Sequence, residues 1–555
     1  MFDFGPLPPL MFASMIVFML YGFPVAFSLG AAGLFFGVIG VVTGHFPEAF
    51  LAALPHRVFG ILSNDILLAI PFFTLMGAIL ERAKLAEDLL EGTGKLFGAI
   101  PGGLAYAVII VGALLGAVTG TVAASVLTMG VISLPIMLRY GYNQRLATGV
   151  IAASGTIAQL IPPSLVLVVL ADQLGRSVGD LYKGALLPAA IQVGLFLLFI
   201  LGVSIFRPKT MPPLPKEVRG DLNLRLVAQV LLGIIPVLVL MFLVLGTIFL
   251  GLATPTESGA LGVVGAMLLA AINRRLTLGL LGEAMARTAQ LTAMVLFILI
   301  GATVFTLVFQ GMDGGRWIEH LLDGLPGGQI GFLIFVNIFI FFLAFFLDFF
   351  EIAFIVIPLL APVAENLGID LVWFGVLICI NLQTSFMHPP FGFALFYLRS
   401  IAPKEVRTKQ IYLGAIPWLG LQLTLVAIVI FSPGLVTNML KRGPAVDPST
   451  VQIVTPGVGG LSGGLGSGGL GQPGSLGQPG ALGQPGTLGQ PGGLGQPTGL
   501  GQPATPAPAG TGEASPGAAP ATEAPSPSET GQPGALGQPG GLGVPPGLQA
   551  PAPAP

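Results

Sequence analysis

Long apolar runs follow one another from residue 10 to residue 432, with only short polar loops between them. Of the 555 residues, 54% are hydrophobic and 9% are charged, whereas soluble domains have about 25% charged residues. So few polar side chains could not cover the surface of a water-soluble fold of this size. A helix needs about 20 apolar residues to cross a bilayer, and the sequence therefore predicts an all-α polytopic membrane protein with roughly a dozen crossings in residues 1–442.

The remaining composition excludes several classes of protein. A net charge of −2 leaves no basic field for nucleic acid. The four histidines lie far apart and Cys379 is the only cysteine, which excludes disulfide scaffolds and Cys/His zinc sites. No GxxxxGK[ST] or HExxH motif is present, so neither nucleotide hydrolysis nor zinc-dependent proteolysis is expected. We therefore expect a protein that is not an enzyme and has no organic cofactor.

The composition changes sharply near Arg442. Residues 443–555 contain no Lys or Arg and are dominated by Gly, Pro, Gln, Ala and Leu. From Leu470 the hexapeptide Leu-Gly-Gln-Pro-Gly-x recurs, with glycine at every third position from Gly468 to Gly495. This spacing is that of collagen, but the run is short and a triple helix needs three chains. The alternative that we favour is a disordered tail outside the fold.

Basic loops give the orientation of the chain in the membrane. The most basic loop is Arg207–Arg225, and the positive-inside rule places it in the cytoplasm. Arg274 and Arg275 follow two predicted crossings later and therefore fall on the same side.

Four apolar segments are better interpreted as two re-entrant hairpins than as membrane crossings. Segments 104–118 and 121–138 are joined by Thr119 and Gly120, and segment 330–347 abuts 349–365 at Asp348. Hairpins enter and leave the membrane on one side, and their irregular tips survive only where protein or a wet cavity surrounds them.

A pattern of proline and glycine occurs twice in the chain. Displaced by 227 residues, Pro135, Gly141, Pro162 and Pro163 recur as Pro362, Gly368, Pro389 and Pro390. The turn Pro101-Gly102-Gly103 returns as Pro326-Gly327-Gly328. We therefore expect two repeats, about 64–205 and 289–432, each with a hairpin and a helix interrupted at a diproline. Corresponding broken segments in two inverted halves indicate the midplane binding site of a secondary transporter.

The two diprolines leave helix ends inside the membrane. Proline removes a backbone donor and breaks the helix ladder. A free helix amino terminus offers N–H groups and a positive partial charge, which suit a carboxylate. Unwound carbonyls and hydroxyls suit a hard cation such as sodium. A single intramembrane diproline is more often a packing kink, but two at equivalent positions favour the site.

Small oxygen-bearing residues gather at these breaks. The predicted ion-binding set is Thr119, Gly120, Thr121, Ser154, Gly155, Thr156, Asp348, Glu351, Gln383, Thr384 and Ser385. The predicted substrate-binding set is Pro162, Pro163, Ser164, His388, Pro389 and Pro390. The alternative for each single Ser, Thr or Gly is an ordinary helix–helix contact.

Asp348 and Glu351 lie three residues apart in an apolar run, and so share one helical face. Carboxylates inside membrane segments are costly and usually functional. They could bind a cation, relay a proton, or lie at a hairpin tip exposed to water. Glu257, in Ala-Thr-Pro-Thr-Glu-Ser, fits a capping carboxylate at a helix start at least as well as any role in transport. A lone histidine such as His388 could contact an anionic substrate, titrate, or pack as a satisfied polar group.

These motifs resemble the large permease subunit of the tripartite ATP-independent periplasmic (TRAP) transporters. The similarity covers essentially residues 10–440, and the stretches that carry it are GALLGAVTGTVAASVLTMGVISLPIMLRYGYNQRLATGVIAASGTIAQLIPPS, ATPTESGALG and LGIDLVWFGVLICINLQTSFMHPPFG. Residues 443–555 have no counterpart in the family.

The resemblance implies an inner-membrane importer of organic acids that is driven by a sodium gradient. It implies an elevator-type fold, in which a scaffold holds a mobile domain of two hairpins and two broken helices. It also implies three partners besides membrane lipids: a periplasmic solute receptor, a small four-helix membrane subunit and the organic acid itself.

Carried over residue by residue, the resemblance places one sodium site at Thr119–Thr121 with Ser154–Thr156. The second falls at the Asp348 hairpin tip with Gln383–Ser385, and the substrate lies between them near the two diprolines. The second repeat departs from the family pattern, because SFMHPPFG replaces a Thr-Pro-Pro-Val-Gly-like run. Proton coupling, or a receptor-independent anion carrier of the same fold, therefore stays open.

Overall fold

A computed structural model describes residues 5–83, 85–219, 223–323 and 326–440. All of them belong to one unit, Met1–Ile453. The predicted tail, 443–555, lies outside the described residues.

The described chain is almost entirely helical. Its first twelve helices are α1 (Leu7–Leu20), α2 (Val25–Val42), α3 (Glu48–Ala52), α4 (Leu54–Leu62), α5 (Ala69–Arg82), α6 (Leu85–Phe97), α7 (Gly103–Thr119), α8 (Val122–Arg139), α9 (Gln144–Thr156), α10 (Leu165–Gln173), α11 (Val178–Phe206) and α12 (Lys216–Arg219). The others are α13 (Leu224–Phe249), α14 (Pro255–Ile272), α15 (Leu278–Gly311), α16 (Gly314–Asp323), α17 (Gly328–Leu343), α18 (Phe349–Glu351), α19 (Ile357–Asn366), α20 (Leu371–Ser385), α21 (Phe393–Ile401), α22 (Thr408–Phe431) and α23 (Gly434–Thr437).

Eight helical segments in the described part of the chain are long and apolar enough to cross a membrane. They are α2, α8, α11, α14, α15, α22, Leu226–Phe249 of α13, and the segment Phe349–Asn366, in which a π-helical stretch, Ile352–Val356, joins α18 to α19. The polytopic all-helical prediction is confirmed.

The two hairpins and the two broken helices of the predicted fold class are present. α7 and α8 meet at Gly120, whose φ of 61° lies in the left-handed region that favours glycine. α17 leads to the segment that starts with α18, and Asp348 stands between them. α9 and α10 are separated at Pro162-Pro163, and α20 and α21 at Pro389-Pro390.

Corresponding turns in the two halves have the same backbone. Gly102 and Gly327 precede the hairpins with φ of 81° and 98°, and Gly141 and Gly368 follow them with φ of 80° and 72°. The broken helices also start alike. Asn143 caps α9 by accepting a bond from the backbone N–H of Arg145, and Asp370, 227 residues later, accepts from those of Val372 and Trp373.

Some helices differ from the apolar runs of the sequence. α15 begins at Leu278, ahead of the second repeat predicted at about 289–432, because Thr277 accepts a capping bond from the N–H of Leu280. The short amphipathic helices α6 and α16 were not predicted, because polar residues interrupt their apolar faces.

The helices form two groups around the breaks. In one, α2 packs along α15, and α5 packs against both α14 and α15. In the other, the hairpins and broken helices pack against α11 and α22. The halves are interlocked in this second group, since α9 packs on α22, α20 on α11, and α21 on α8.

Candidate functional site

A cavity of about 170 Å³ lies where the hairpin tips, the broken helices and two further helices meet. Its lining residues are Ile70, Thr74, Gly120, Thr121, Val122, Ala123, Gln159, Leu165, Leu291, Met294, Val295, Asp348, Phe349, Phe350, Phe386, Phe393 and Tyr397. Both hairpins and both breaks contribute on one side, and α5 and α15 contribute on the other.

Four helix amino termini are part of this lining. Val122, Leu165 and Phe393 are the first residues of α8, α10 and α21, and Phe349 is the first residue of α18. Each such end carries a positive partial charge and N–H groups without intrahelical partners. The ends of α8, α10 and α21 have no side-chain cap and favour an anion, whereas the end of α18 is already capped by the Asp348 carboxylate.

Among the described residues, Asp348 is the only charged side chain in this lining. Neutral polar groups come from Thr74, Thr121, Gln159 and Tyr397, and no Lys or Arg of the described chain lines the cavity. The hydroxyl of Thr74 and the amide oxygen of Gln159 are buried and have no hydrogen-bond partner in the described structure. The cavity therefore offers polar groups for a ligand but no basic side chain.

The first break is closed by side chains from both halves. After α9, a 3-10 turn at Ile157–Gln159 ends the helix. The Gln159 carbonyl accepts bonds from the Ser164 hydroxyl and from the Cys379 thiol, which lies 3.3 Å away on α20. Pro162, Pro163 and Ser164 are buried. A Cβ added at Gly120 would lie 3.9 Å from the Pro163 carbonyl oxygen, so the first hairpin tip lies beside this break.

The second break is a tight turn around Gly392. The Gly392 N–H donates to the His388 carbonyl at 2.6 Å, and the Ala394 N–H donates to the Phe386 carbonyl at 3.1 Å. Pro389 is half-buried and Pro390 is exposed. As at the first diproline, the Pro–Pro peptide bond is cis.

His388 lies among aromatic rings and not in the cavity lining. Its ring centroid is 4.0 Å from that of Phe341 and 4.5 Å from that of Phe345, both in the second hairpin. Its Nε2 is 3.2 Å from the Thr384 hydroxyl, and the side chain is 1% exposed.

Asp348 and Glu351 form a capping box at the second hairpin tip. The Asp348 carboxylate accepts from the Glu351 N–H at 3.1 Å, and the Glu351 carboxylate accepts from the Asp348 N–H at 2.9 Å. This reciprocal pair starts the second arm of the hairpin. Glu351 is buried, whereas Asp348 is half-buried and reaches the cavity.

The predicted ion-binding hydroxyls lie in the last turns of α9 and α20. Ser154, Thr156, Thr384 and Ser385 each donate to a carbonyl three residues earlier in their own helix, at 2.6–2.9 Å. Because each hydroxyl hydrogen is bonded within its own helix, the hydroxyl oxygens can act towards other groups only as acceptors or cation ligands, through their lone pairs. The Thr156 hydroxyl already accepts one bond at 3.0 Å from the amide of Gln422 on α22.

Close helix contacts surround the same residues. A Cβ at Gly112 would lie 2.6 Å from that of Ser154, and one at Gly155 would lie 3.0 Å from the Val126 backbone nitrogen. In the second repeat the amide of Asn381 donates to the Asn337 carbonyl at 2.8 Å. The amide N and O of Gln383 have no partner in the described structure, and this side chain is fully buried.

Of the predicted ion and substrate residues, Gly120, Thr121 and Asp348 line the cavity. Thr119 ends α7, and its side chain lies outside the described part of the chain. The other predicted residues lie in the broken helices and the second hairpin, outside the lining. Thr74 and Tyr397 were missed, because neither lies in the proline–glycine pattern that guided the prediction.

A second cavity, of about 610 Å³, lies further along α5 and α15. Two ion pairs line it: the guanidinium of Arg287 is 2.9 Å from the carboxylate of Glu81, and that of Arg82 contacts Glu283. Its opposite wall includes Thr128 of α8. It lies at the end of α15 that follows Arg274 and Arg275, the end predicted to face the cytoplasm.

Glu257 has the capping geometry predicted as its alternative. Its carboxylate accepts from the Thr254 N–H at 2.8 Å, and its own N–H donates to the Thr254 hydroxyl at 3.2 Å. The side chain is exposed and lies outside both cavities.

The family described as "Tripartite ATP-independent periplasmic transporter, DctM component" matches residues 12–435. This range includes both hairpins, both broken helices and every residue that lines the cavity. The chain belongs to the DctM component family of TRAP transporters. As a member of this family with eight candidate spans among its described residues, it is a multi-pass protein of the inner membrane.

Relatives of this DctM-family permease are named as TRAP permeases. The C4-dicarboxylate TRAP transporter large permease protein DctM of Pseudomonas aeruginosa is 30% identical over 382 residues, which are 69% of this chain and 87% of that protein. The isethionate TRAP transporter permease protein DctMQ of Oleidesulfovibrio alaskensis is 28% identical over 428 residues, or 77% of this chain. The match spans 65% of the length of that protein.

The fold of this DctM-family permease also resembles a solved transporter structure. The Alcanivorax borkumensis YdaH transporter matches with a TM-score of 0.51 over 78% of this chain and 100% of that one, at 15% identity. At this identity the similarity concerns the fold alone.

Proposed function

We propose that this permease is the large membrane subunit of a TRAP-type secondary transporter, and that it imports an organic acid by sodium symport through an elevator mechanism. The observation that carries the proposal is the cavity whose lining includes three helix amino termini without a side-chain cap, those of α8, α10 and α21. A carboxylate there accepts hydrogen bonds from backbone N–H groups and lies in the positive field of the helix ends.

The charge of the cavity supports coupling to a cation. Its lining contains one carboxylate, Asp348, and no basic side chain. An organic anion placed beside this carboxylate in a poorly solvated space is repelled by it. A co-bound cation removes this repulsion, so that acid and cation bind together more readily than either does alone.

The predicted ion-binding residues suit sodium. Hard cations of this kind prefer oxygen ligands, and the hydroxyls of Ser154, Thr156, Thr384 and Ser385 have their hydrogens engaged within their own helices. The unpaired amide oxygen of Gln383 adds a further oxygen in the second repeat.

The walls of the cavity support the elevator proposal. One side consists of hairpins and broken helices, and the other consists of α5 and α15. A movement of the first group along the second carries the contents of the cavity with it. The second cavity, with its ion pairs at the end predicted to be cytoplasmic, provides a polar path for release on that side.

The proposed partners follow from the family. A periplasmic receptor delivers the acid, a small four-helix membrane subunit accompanies this one, and membrane lipids surround both. The relatives named above are called C4-dicarboxylate and isethionate transporters, so we propose a small organic anion as substrate for this chain.

One observation favours a second candidate, proton-coupled transport. Glu351 is buried next to Asp348, and the two carboxylates are joined by their capping bonds. One proton bound to such a pair cancels one of its two negative charges, as proton relays inside membranes do. In that case the pair carries the coupling proton in place of sodium.

The two candidates differ in the gradient that drives uptake. The test uses proteoliposomes that contain this permease with its small subunit, supplied with the receptor and radiolabelled succinate as the first probe and isethionate as the second. We expect saturable uptake that requires an inward sodium gradient and is unaffected when the pH gradient is abolished. Uptake driven by the pH gradient, with choline in place of sodium, would contradict sodium coupling and support the second candidate.

A further inference from the structure

The long helices α11 and α22 are equivalent in the two repeats. At a displacement of 230 residues, Gly184 of α11 corresponds to Gly414 of α22, and Gln192 corresponds to Gln422. Both glutamines are fully buried in apolar surroundings. Neither was singled out from the sequence, because a lone glutamine in a long apolar helix has no motif around it.

Gln422 of α22 contacts the end of the first broken helix. Gln422 donates from its amide nitrogen to the hydroxyl of Thr156, the last residue of α9. The two helices run parallel and close together. A Cβ at Gly414 would lie 2.9 Å from the Thr148 hydroxyl, and one at Gly149 would lie 2.6 Å from Nε1 of Trp418.

By the correspondence of the repeats, Gln192 of α11 is the counterpart of Gln422, and Gln383 of α20 is the counterpart of Thr156. Thr156 corresponds to Gln383 at the displacement of 227, and α11 packs along α20. A Cβ at Gly184 would lie 3.3 Å from a methyl group of Val372 and 3.5 Å from one of Val376. These valines correspond to Arg145 and Gly149, the partners of Gly414 in the first repeat.

Gln192 and Gln383 differ from Gln422 and Thr156 in their hydrogen bonding. The amide N and O atoms of both Gln192 and Gln383 have no hydrogen-bond partner in the described structure, although both side chains are fully buried. The packing beside them differs as well: Val376 stands where the first repeat has Gly149, so Gly184 of α11 faces valine side chains, whereas Gly414 of α22 lies against the Arg145 carbonyl. A buried amide without partners destabilises the fold.

We propose that Gln192 is a positioning residue of the second ion site. When sodium binds at the second break, the amide nitrogen of Gln383 donates to the amide oxygen of Gln192, and the Gln383 carbonyl faces the cation. This is the counterpart of the Gln422–Thr156 contact. The inference rests on the sodium coupling proposed above.

The test is thermal unfolding of the purified full chain, followed by tryptophan fluorescence over a sodium titration with choline at constant ionic strength. Gln192→Met keeps the length of the side chain and removes its amide. We expect the sodium concentration for half-maximal stabilisation to rise about five- to tenfold, the effect of losing one hydrogen bond coupled to binding. In choline the variant should unfold at or above the wild-type temperature, because two unpaired polar atoms are gone.

Gln310→Met, on an exposed position of α15, is the matched control and should leave the sodium response unchanged. In a Gln383→Met background the Gln192→Met change should have no further effect on the sodium midpoint, which tests the pair even if one single variant folds poorly. If sodium stabilises the wild-type chain but Gln192→Met has the same sodium midpoint as the wild type, this inference is wrong and the proposed sodium coupling is unaffected. A wild-type chain that sodium does not stabilise overturns the proposed sodium coupling, and this inference with it.

Discussion

Single glycines set how closely the helices around the cavity approach one another. Gly112 and Gly116 of α7 lie against Ser154 and Ala158, where an added Cβ would come within 2.6 Å and 2.7 Å of the neighbouring atoms. Gly392 does the same inside the second break. Glycine at such positions is required by space and not by backbone angle, since Gly392 has a φ of −59°.

Gly392→Ala should destabilise the second break. The added Cβ would lie 2.5 Å from the Phe386 carbonyl oxygen and 2.9 Å from the His388 nitrogen, and both are backbone atoms that cannot move without opening the turn. We expect a loss of about 1–3 kcal/mol in the free energy of unfolding, measured as a lower unfolding temperature with reduced uptake. Gly420→Ala is the control, because a Cβ there meets nothing within 4 Å and alanine is the better helix former by roughly 1 kcal/mol. Equal unfolding temperatures for Gly392→Ala and Gly420→Ala would contradict this prediction, because they would show that the turn accommodates the added Cβ at little cost.

The second hairpin tip shows how one element combines two roles. Asp348 starts the second arm through its capping bond, and the same side chain reaches the cavity. The first tip is built differently, with a left-handed glycine at Gly120 and no side-chain cap from Thr121. The pseudosymmetric tips therefore differ in charge, and only the second brings a carboxylate to the cavity.

Asp348→Asn removes the negative charge of this side chain and keeps its capping hydrogen bond. Asparagine caps helices about as well as aspartate, so the unfolding temperature should change little. If Asp348 contacts the proposed sodium ion, we expect the sodium concentration for half-maximal uptake to rise about tenfold, because a fully charged oxygen ligand is replaced by a dipole. The measurement is succinate uptake at graded sodium concentrations. An unchanged sodium dependence would leave the carboxylate with a capping role only. Asp348→Ala, which loses both functions, serves as the reference.

The sequence predicted those elements whose signals are local. Proline and glycine end helices wherever they occur, so the hairpins and both breaks could be placed from Pro162-Pro163, Pro389-Pro390 and Gly120. The π-helical stretch Ile352–Val356 has no such signal, since it depends on how the hairpin arm packs. The sequence also could not predict the cavity wall formed by α5 and α15, or the Gln422–Thr156 contact. Each of them brings together residues more than 150 positions apart in the chain.

The described chain as a whole divides the cavity between two groups of helices. Hairpins and broken helices supply the helix ends, and α5 and α15 supply a largely apolar wall with Thr74. The family match, residues 12–435, covers both groups and ends before the glycine- and proline-rich segment. We therefore expect transport to depend on residues before Arg442.

Removal of residues 443–555 should leave transport intact. We expect a chain that ends at Arg442 to take up succinate in proteoliposomes with the same half-saturating concentration and maximal rate as the full chain. The control for expression and insertion is the amount of folded protein after size-exclusion chromatography. A truncated chain that folds but does not transport would give the glycine- and proline-rich segment a part in the transport cycle.

The interlocked packing of the broken helices has a consequence for either half on its own. α9 is covered by α22 of the other half, and α20 by α11. A polypeptide with one half only would leave its broken helix without this cover. We expect such a half, expressed alone, to be stable only when two copies exchange these helices as a swapped dimer.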